Sequence, residues 1–189
     1  MLVIFELFQN YVHLLQCISF HHPYVMHETK LSLDDTHLVY NIDFFAERYI
    51  HGRDFTISMV ARQQAPICEV IFFGYYDDDK ARVFDYNAKW VKDTPEYDNT
   101  DIEFDFKGIS QETKDEMTKI ATECWDIFNL KGYARVDFRV DEQGNPFVLE
   151  INPNPCITRK IMFDNNLKQG GVDYVDAIQE IVNDIKNIY

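Results

Sequence analysis

The segment GYARVDFRVDEQGNPFVLEINPNP, from Gly132 to Pro155, constrains this chain more than any other stretch. Asp141-Glu142-Gln143-Gly144-Asn145-Pro146 is a run of turn formers between two alternating runs, which predicts a β-hairpin. With the turn centred between Gln143 and Gly144, Asp137 lies opposite Glu150 and Arg135 opposite Asn152. Val136, Phe138 and Val140 then lie opposite Ile151, Leu149 and Phe147. A register shifted by two residues would change the partners but not the faces, because side chains alternate along a strand. One face is wholly apolar and is expected to pack on a core. The other gathers Arg135, Asp137, Arg139, Glu150 and Asn152.

Asp and Asn are depleted in strands, where they give up the turns and caps they favour. Two carboxylates and an amide oxygen on adjacent strands, beside a cation, cost stability unless something uses them. Oxygen-only donors suit Mg²⁺, which takes one or two carboxylates and leaves its other positions to water and substrate phosphates. The pattern alone leaves two readings open: a metal site, or a solvated face on which Arg135 and Arg139 pair the acids. The tail Asn152-Pro153-Asn154-Pro155 favours the metal, since a strand running into a rigid Pro-punctuated turn places its last polar residues at a defined site. Under that reading Asp137 and Glu150 repel one another, and Asp137→Asn is expected to leave the metal-free fold no weaker.

Elsewhere the chain supplies a core and narrows the function classes. Hydrophobic residues are 46% and aromatics 15%, which excludes a disordered chain. Eighteen Lys and Arg against 32 Asp and Glu give a net charge of −14, so neither nucleic acid nor an anionic membrane surface is an expected partner. Neither GxGxxG nor GxxxxGK[ST] occurs, which removes a Rossmann fingerprint and a P-loop. Cys17, Cys68, Cys124 and Cys156 form no CxxC pair and read as reduced, cytoplasmic usage. The opening MLVIFELFQNYVHLLQCISF lacks a basic start, and polar residues interrupt its apolar run. It therefore reads as a buried helix or strand-rich piece rather than a signal peptide or membrane span.

DFFAERYI, FTISMV, ICEVIFF and RVFDYNAKW, within 43–108, read as strands. SQETKDEMTKIATECWDIFNL reads as a helix capped by Ser110, with a stripe of Met117, Ile120, Ala121, Cys124, Trp125 and Phe128. After the hairpin comes a loop, then a last helix beyond Gly170-Gly171 with Tyr174, Val175, Ile178, Ile181, Val182, Ile185 and Ile188 on its apolar stripe. The fold class is α+β, a mainly antiparallel sheet with flanking helices. No linker signal interrupts 43–189, which is expected to form one unit.

ARVDFRVDEQGNPFVLEINPNP resembles the metal-binding hairpin of ATP-grasp enzymes, most closely the D-alanine–D-alanine ligase family. FAERYIHGRDFT, residues 44–56 with their flank, resembles that family's adenine-side strand and hinge, and VFDYNAKW, 83–90, its phosphate strand. The three occur in the family's order and cover about residues 44–158. The resemblance implies that 43–189 is the ATP-grasp C-terminal subdomain, and that 1–42 is a remnant of the preceding small subdomain or an unrelated segment. It implies roles residue by residue. Glu47 takes the adenine amino group, Tyr49 and Ile50 form the hinge beside the base, and Asp54 binds the ribose hydroxyls. Lys89 holds a phosphate. Asp137, Glu150 and Asn152 ligate Mg²⁺, with Mn²⁺ as a substitute, and Arg135 is the catalytic cation beside the transferred phosphoryl group.

The implied activity is ATP-dependent joining of a carboxylate and an amine through an acyl phosphate, with a homodimer as a compatible assembly. Three positions depart from the family pattern: Cys156 replaces a glycine after the Asn-x-x-Pro turn, Ile161 a serine and Trp90 a tyrosine. The implied substrates therefore stop at their class, a small carboxylate and a small amine. Residues 1–42 contain no Ser/Gly-rich phosphate loop. The resemblance thus implies a C-terminal fragment of a longer ligase, or alternatively a catalytically inactive nucleotide-binding or partner-binding remnant. A third reading is a purely structural α+β domain.

Overall fold

The computed structural model describes residues 2–7, 16–18, 43–76 and 81–186. Its residues divide into two compact units, 1–49 with 72–101 and 50–71 with 102–189. The expected single unit over 43–189 is thus crossed by this division. In the first unit β1 (Leu2–Leu7), β2 (Gln16–Ile18) and β3 (Asp43–Arg48) form an antiparallel sheet in the order β2-β1-β3, with Val3 opposite Glu47. The polar run 27–37 lies outside the described residues.

The larger sheet contains β4 (Gly52–Val60), β5 (Gln63–Gln64), β6 (Cys68–Phe72), β7 (Thr100–Glu103), β8 (Tyr133–Asp141) and β9 (Pro146–Asn152). Its order is β7-β6-β4-β8-β9, with β5 paired to β4. β4 and β8 are the central pair, and each alternates apolar and polar residues. Their apolar sides coincide because Phe55 stands opposite Phe138 and Ile57 opposite Val136.

On that apolar side lies the helix Gln111–Ile127, which follows the short helices α1 (Tyr86–Trp90) and α2 (Pro95–Asp98) and is α3 here. Ser110 caps it, accepting the Thr113 N–H at 3.0 Å. Met117, Ala121, Cys124 and Trp125 bury themselves on Phe55, Ile57, Met59, Val136, Phe138 and Val140. Thr113 also donates its hydroxyl to the Gly144 carbonyl at 3.0 Å, which ties the helix start to the hairpin turn. A second cluster joins Val60 to Phe163 and Leu167 of α4 (Met162–Gln169) and to Ala177 and Ile181 of α5 (Tyr174–Lys186).

Several expectations change. RVFDYNAKW is not a strand: Asp85 accepts the Ala88 N–H at 2.9 Å and caps α1, so a local cap overrides the aromatic content. The loop expected after the hairpin contains α4, whose polar sequence MFDNNLKQ gave no apolar period; Asp164 and Asn166 are buried in it. On α5 Ala177 and Ile181 are the buried residues, while Val175, Val182 and Ile185 are exposed; Ile188 lies outside the described residues. Phe128, expected on the buried stripe, is exposed just past the end of α3.

The hairpin register holds only at its open end. Asp137 pairs with Glu150, but Phe138 then faces Val148 and Val140 faces Pro146, so a bulge leaves Leu149 without an opposite residue. Phe147, Val148 and Leu149 are consequently exposed on the edge strand β9, and of the β9 half of the expected apolar face only Ile151 packs against the core.

Candidate metal and nucleotide site

The polar side of the central sheet follows from the same alternation. Asp54, Thr56 and Ser58 of β4 stand opposite Arg139, Asp137 and Arg135 of β8. β9 sets Glu150 opposite Asp137 and Asn152 opposite Arg135. Arg135, Asp137, Glu150 and Asn152 thus share one sheet face, as the alternation of the hairpin suggested, and β4 adds Asp54 to that face.

Arg135 and Asp137 lie two residues apart on that face and form a bidentate pair. Arg135 donates from Nε and Nη2 to the two carboxylate oxygens of Asp137, at 2.7 Å each. Thr56 donates its hydroxyl to Asp137 Oδ1 at 2.7 Å. Burial works against the Arg135 charge, but the Asp137 and Glu150 carboxylates outweigh it and hold the guanidinium above its ordinary pKa. It remains a permanent cation between two acids.

Two carboxylates and an amide oxygen on neighbouring strands are hard oxygen donors, and they fit Mg²⁺ with water and phosphate completing its shell. Among the described residues no three of His, Cys, Asp or Glu are clustered for a metal.

Arg139, expected beside the hairpin acids, pairs elsewhere. It donates from Nη1 to Asp54 Oδ1 at 2.5 Å and from Nε to the Ile50 carbonyl at 2.8 Å. The other expected residues belong to the first unit. Glu47 lies in β3, described here by its backbone pairing alone. The Tyr49 hydroxyl accepts the Arg82 N–H at 3.3 Å. Lys89 lies on α1, not on a strand, with Nζ 5.1 Å from the centroid of the Phe84 ring.

Sequence reading missed a buried polar relay beside this face. Asn166 donates to Ser58 Oγ at 3.1 Å and accepts from the Cys68 thiol at 3.4 Å. A helix with a buried Asn among polar neighbours leaves no periodic signal. The relay fastens α4 to β4 and β6. The segment between β9 and α4 is held as well: Asn152 Oδ1 accepts the Asn154 N–H at 2.9 Å, Tyr133 donates its hydroxyl to Asn154 Oδ1, and Tyr174 donates to the Ile157 carbonyl at 3.0 Å. Asp164 accepts the Lys160 N–H at 2.6 Å and the Lys168 ammonium at 2.7 Å. Cys156 is exposed in this segment, and Ile161 precedes α4 without a side-chain cap bond.

Residues 29–183 match the family described as D-ala D-ala ligase C-terminus. The D-alanine–D-alanine ligase of Saccharophagus degradans is 30% identical over 143 residues, and that of Aquifex aeolicus 31% over 136. These matches cover 76% and 72% of this chain but 41% and 42% of the relatives. A crystal structure of the Bacillus anthracis D-alanine–D-alanine ligase complexed with ATP superposes with a TM-score of 0.62 at 25% identity, over 82% of this chain and 46% of that one. The Coxiella burnetii ligase, at 16% identity, covers 97% of this chain and 44% of its own with a TM-score of 0.62, and shows the fold alone. The chain thus spans about two fifths of the length of the curated relatives it matches. With the antiparallel sheet, its flanking helices and the acidic hairpin all in place, the chain belongs to the D-ala D-ala ligase C-terminus family.

Proposed function

We propose that this chain is the nucleotide- and Mg²⁺-binding part of an ATP-dependent carboxylate–amine ligase that works through an acyl phosphate. One observation carries the reading: the β8–β9 register that sets Asp137 against Glu150 and Arg135 against Asn152 on one face. Asp137, Glu150 and Asn152 would hold Mg²⁺, which when bound neutralises phosphate charge. Arg135, largely buried and permanently charged, is placed to favour the charge that develops on a transferred phosphoryl group. Asp54 and Ile50 are assigned to the ribose and base side of the nucleotide, with Glu47, Tyr49 and Lys89 contributing the base and phosphate contacts that the resemblance implies. The Ile50 carbonyl already accepts one hydrogen bond from Arg139, and the Ile50 N–H is a donor that suits a ring-nitrogen acceptor of the base.

The chemistry of such a site is mostly positioning and charge neutralisation. A carboxylate oxygen is a poor leaving group, and phosphorylation makes it a good one. Cys156, Ile161 and Trp90 keep the substrates at the level of a small carboxylate and a small amine. No described helix is long and apolar enough to cross a membrane. Free Cys68, Cys124 and Cys156 support a reducing, cytoplasmic setting. A homodimer completes the proposal, and light scattering measures it.

Calorimetry of the chain with ATP tests the reading. Binding that appears with millimolar Mg²⁺ and disappears with a chelator is expected. No binding under either condition overturns it.

A further inference from the structure

Arg139 is a charged side chain only 3% exposed, and the reading above leaves it without a role. Its guanidinium joins the Asp54 carboxylate to the Ile50 carbonyl. A planar guanidinium presents its donors in fixed directions, so one side chain sets two acceptors on either side of Gly52. At Gly52 itself a Cβ would stand 2.0 Å from the Val140 carbonyl oxygen, so β4 begins in close backbone contact with β8. Residues 50–54 are therefore pinned to β8 by a side chain and by backbone approach together.

Stability is a weak reason for such a pair. Two buried charges lose their hydration, and apolar residues of similar volume commonly do as well or better. What the pair supplies is geometry: it sets where the Asp54 carboxylate and the Ile50 carbonyl stand. Arg139 also follows Asp137 and Arg135 at alternate positions of β8, and their pairing partners across the strands share one side of the sheet. The strand that carries the proposed metal and phosphoryl groups thus also sets the proposed ribose group.

We infer that Arg139 is a positioning residue, holding Asp54 so that its carboxylate reads the ribose hydroxyls of a bound nucleotide. The inference rests on the proposed function. It assigns Arg139 no contact with the nucleotide; the arginine acts through Asp54.

The test compares ATP with 2′,3′-dideoxy-ATP, both with Mg²⁺, by calorimetry on the whole chain. Hydrogen bonds from two hydroxyls to a charged acceptor predict a preference for ATP of roughly tenfold or more in the wild type. Arg139→Met is expected to bring the two nucleotides within about twofold of each other. Arg139→Lys, which keeps the charge without the fork, is expected to lose most of the preference and serves where the methionine variant does not fold. Asp54→Asn gives the reference for a site without its carboxylate. A folded Arg139→Lys or Arg139→Met with the wild-type preference overturns the inference, as does a wild type that binds both nucleotides equally. A wild type that binds neither overturns the proposed function as well.

Discussion

Thr56 and Asp137 face one another across the central strands, and the Thr56 hydroxyl donates its proton to Asp137 Oδ1 at 2.7 Å. Thr56 is buried, so the hydroxyl has been taken from water to make this bond. It orients a carboxylate that Arg135 holds from another side. Under the proposed function Asp137 ligates Mg²⁺, and loss of a bond that orients a metal ligand commonly costs about 10–100-fold in metal affinity.

Thr56→Val removes the donor with little change of shape. We expect a loss of about 1 kcal/mol of stability from the missing hydrogen bond. We also expect roughly tenfold weaker Mg²⁺–ATP binding. Thr56→Ser should restore both. Melting curves and titrations of the three proteins check this, and equal Mg²⁺–ATP affinities would remove Thr56 from the site.

Asp137→Asn separates the hairpin's two roles. Repulsion between Asp137 and Glu150 suggested from sequence that this change would not weaken the fold, but the Asp137 charge is matched by Arg135 at 2.7 Å. The side chains are only 13% and 18% exposed. Removing one partner of a largely buried pair costs about 3 kcal/mol, with Glu150 limiting the loss. We expect a lower melting temperature and no Mg²⁺-dependent stabilisation by ATP. A variant as stable as the wild type would show that the pair contributes nothing.

Asp164 makes stability depend on acid. The Lys168 ammonium, then the Lys160 N–H, hold its carboxyl below the usual carboxylate range. A group depressed in the folded state stabilises above its unfolded pKa, about 4, and that contribution is lost as pH falls through the folded value. The stability gap between wild type and Asp164→Asn should therefore be full at pH 7 and shrink below about pH 4. Urea titrations at pH 7, 4 and 3 measure it; a gap that does not change with pH contradicts the assignment.

The thiols should differ in reactivity. Burial pushes Cys68 up to about 12, whereas Cys156 is exposed. The thiolate is the nucleophile, so iodoacetamide at pH 8 should modify Cys156 on the order of 100-fold faster than Cys68, with the difference vanishing in urea. Peptide mapping by mass spectrometry reads both rates. Comparable labelling in the folded protein would mean that α4 does not cover Cys68.

Much of this protein was legible from local pattern. Alternation alone placed Arg135, Asp137, Glu150 and Asn152 on one face, because side-chain period along a strand does not depend on what the strand packs against. Ser110 announced the start of α3 for a similar reason, since a cap is a contact between neighbours in sequence. The tertiary structure decided what lay between distant residues. It set Thr56 against Asp137 and Asp54 against Arg139, 81 and 85 residues apart. It placed the bulge that exposes Phe147 and Leu149, and packed Asn166 of an unpredicted helix on Ser58 and Cys68. Those partners are chosen by strand order and by the need to satisfy buried polar groups, and neither quantity is written in any short stretch of the chain.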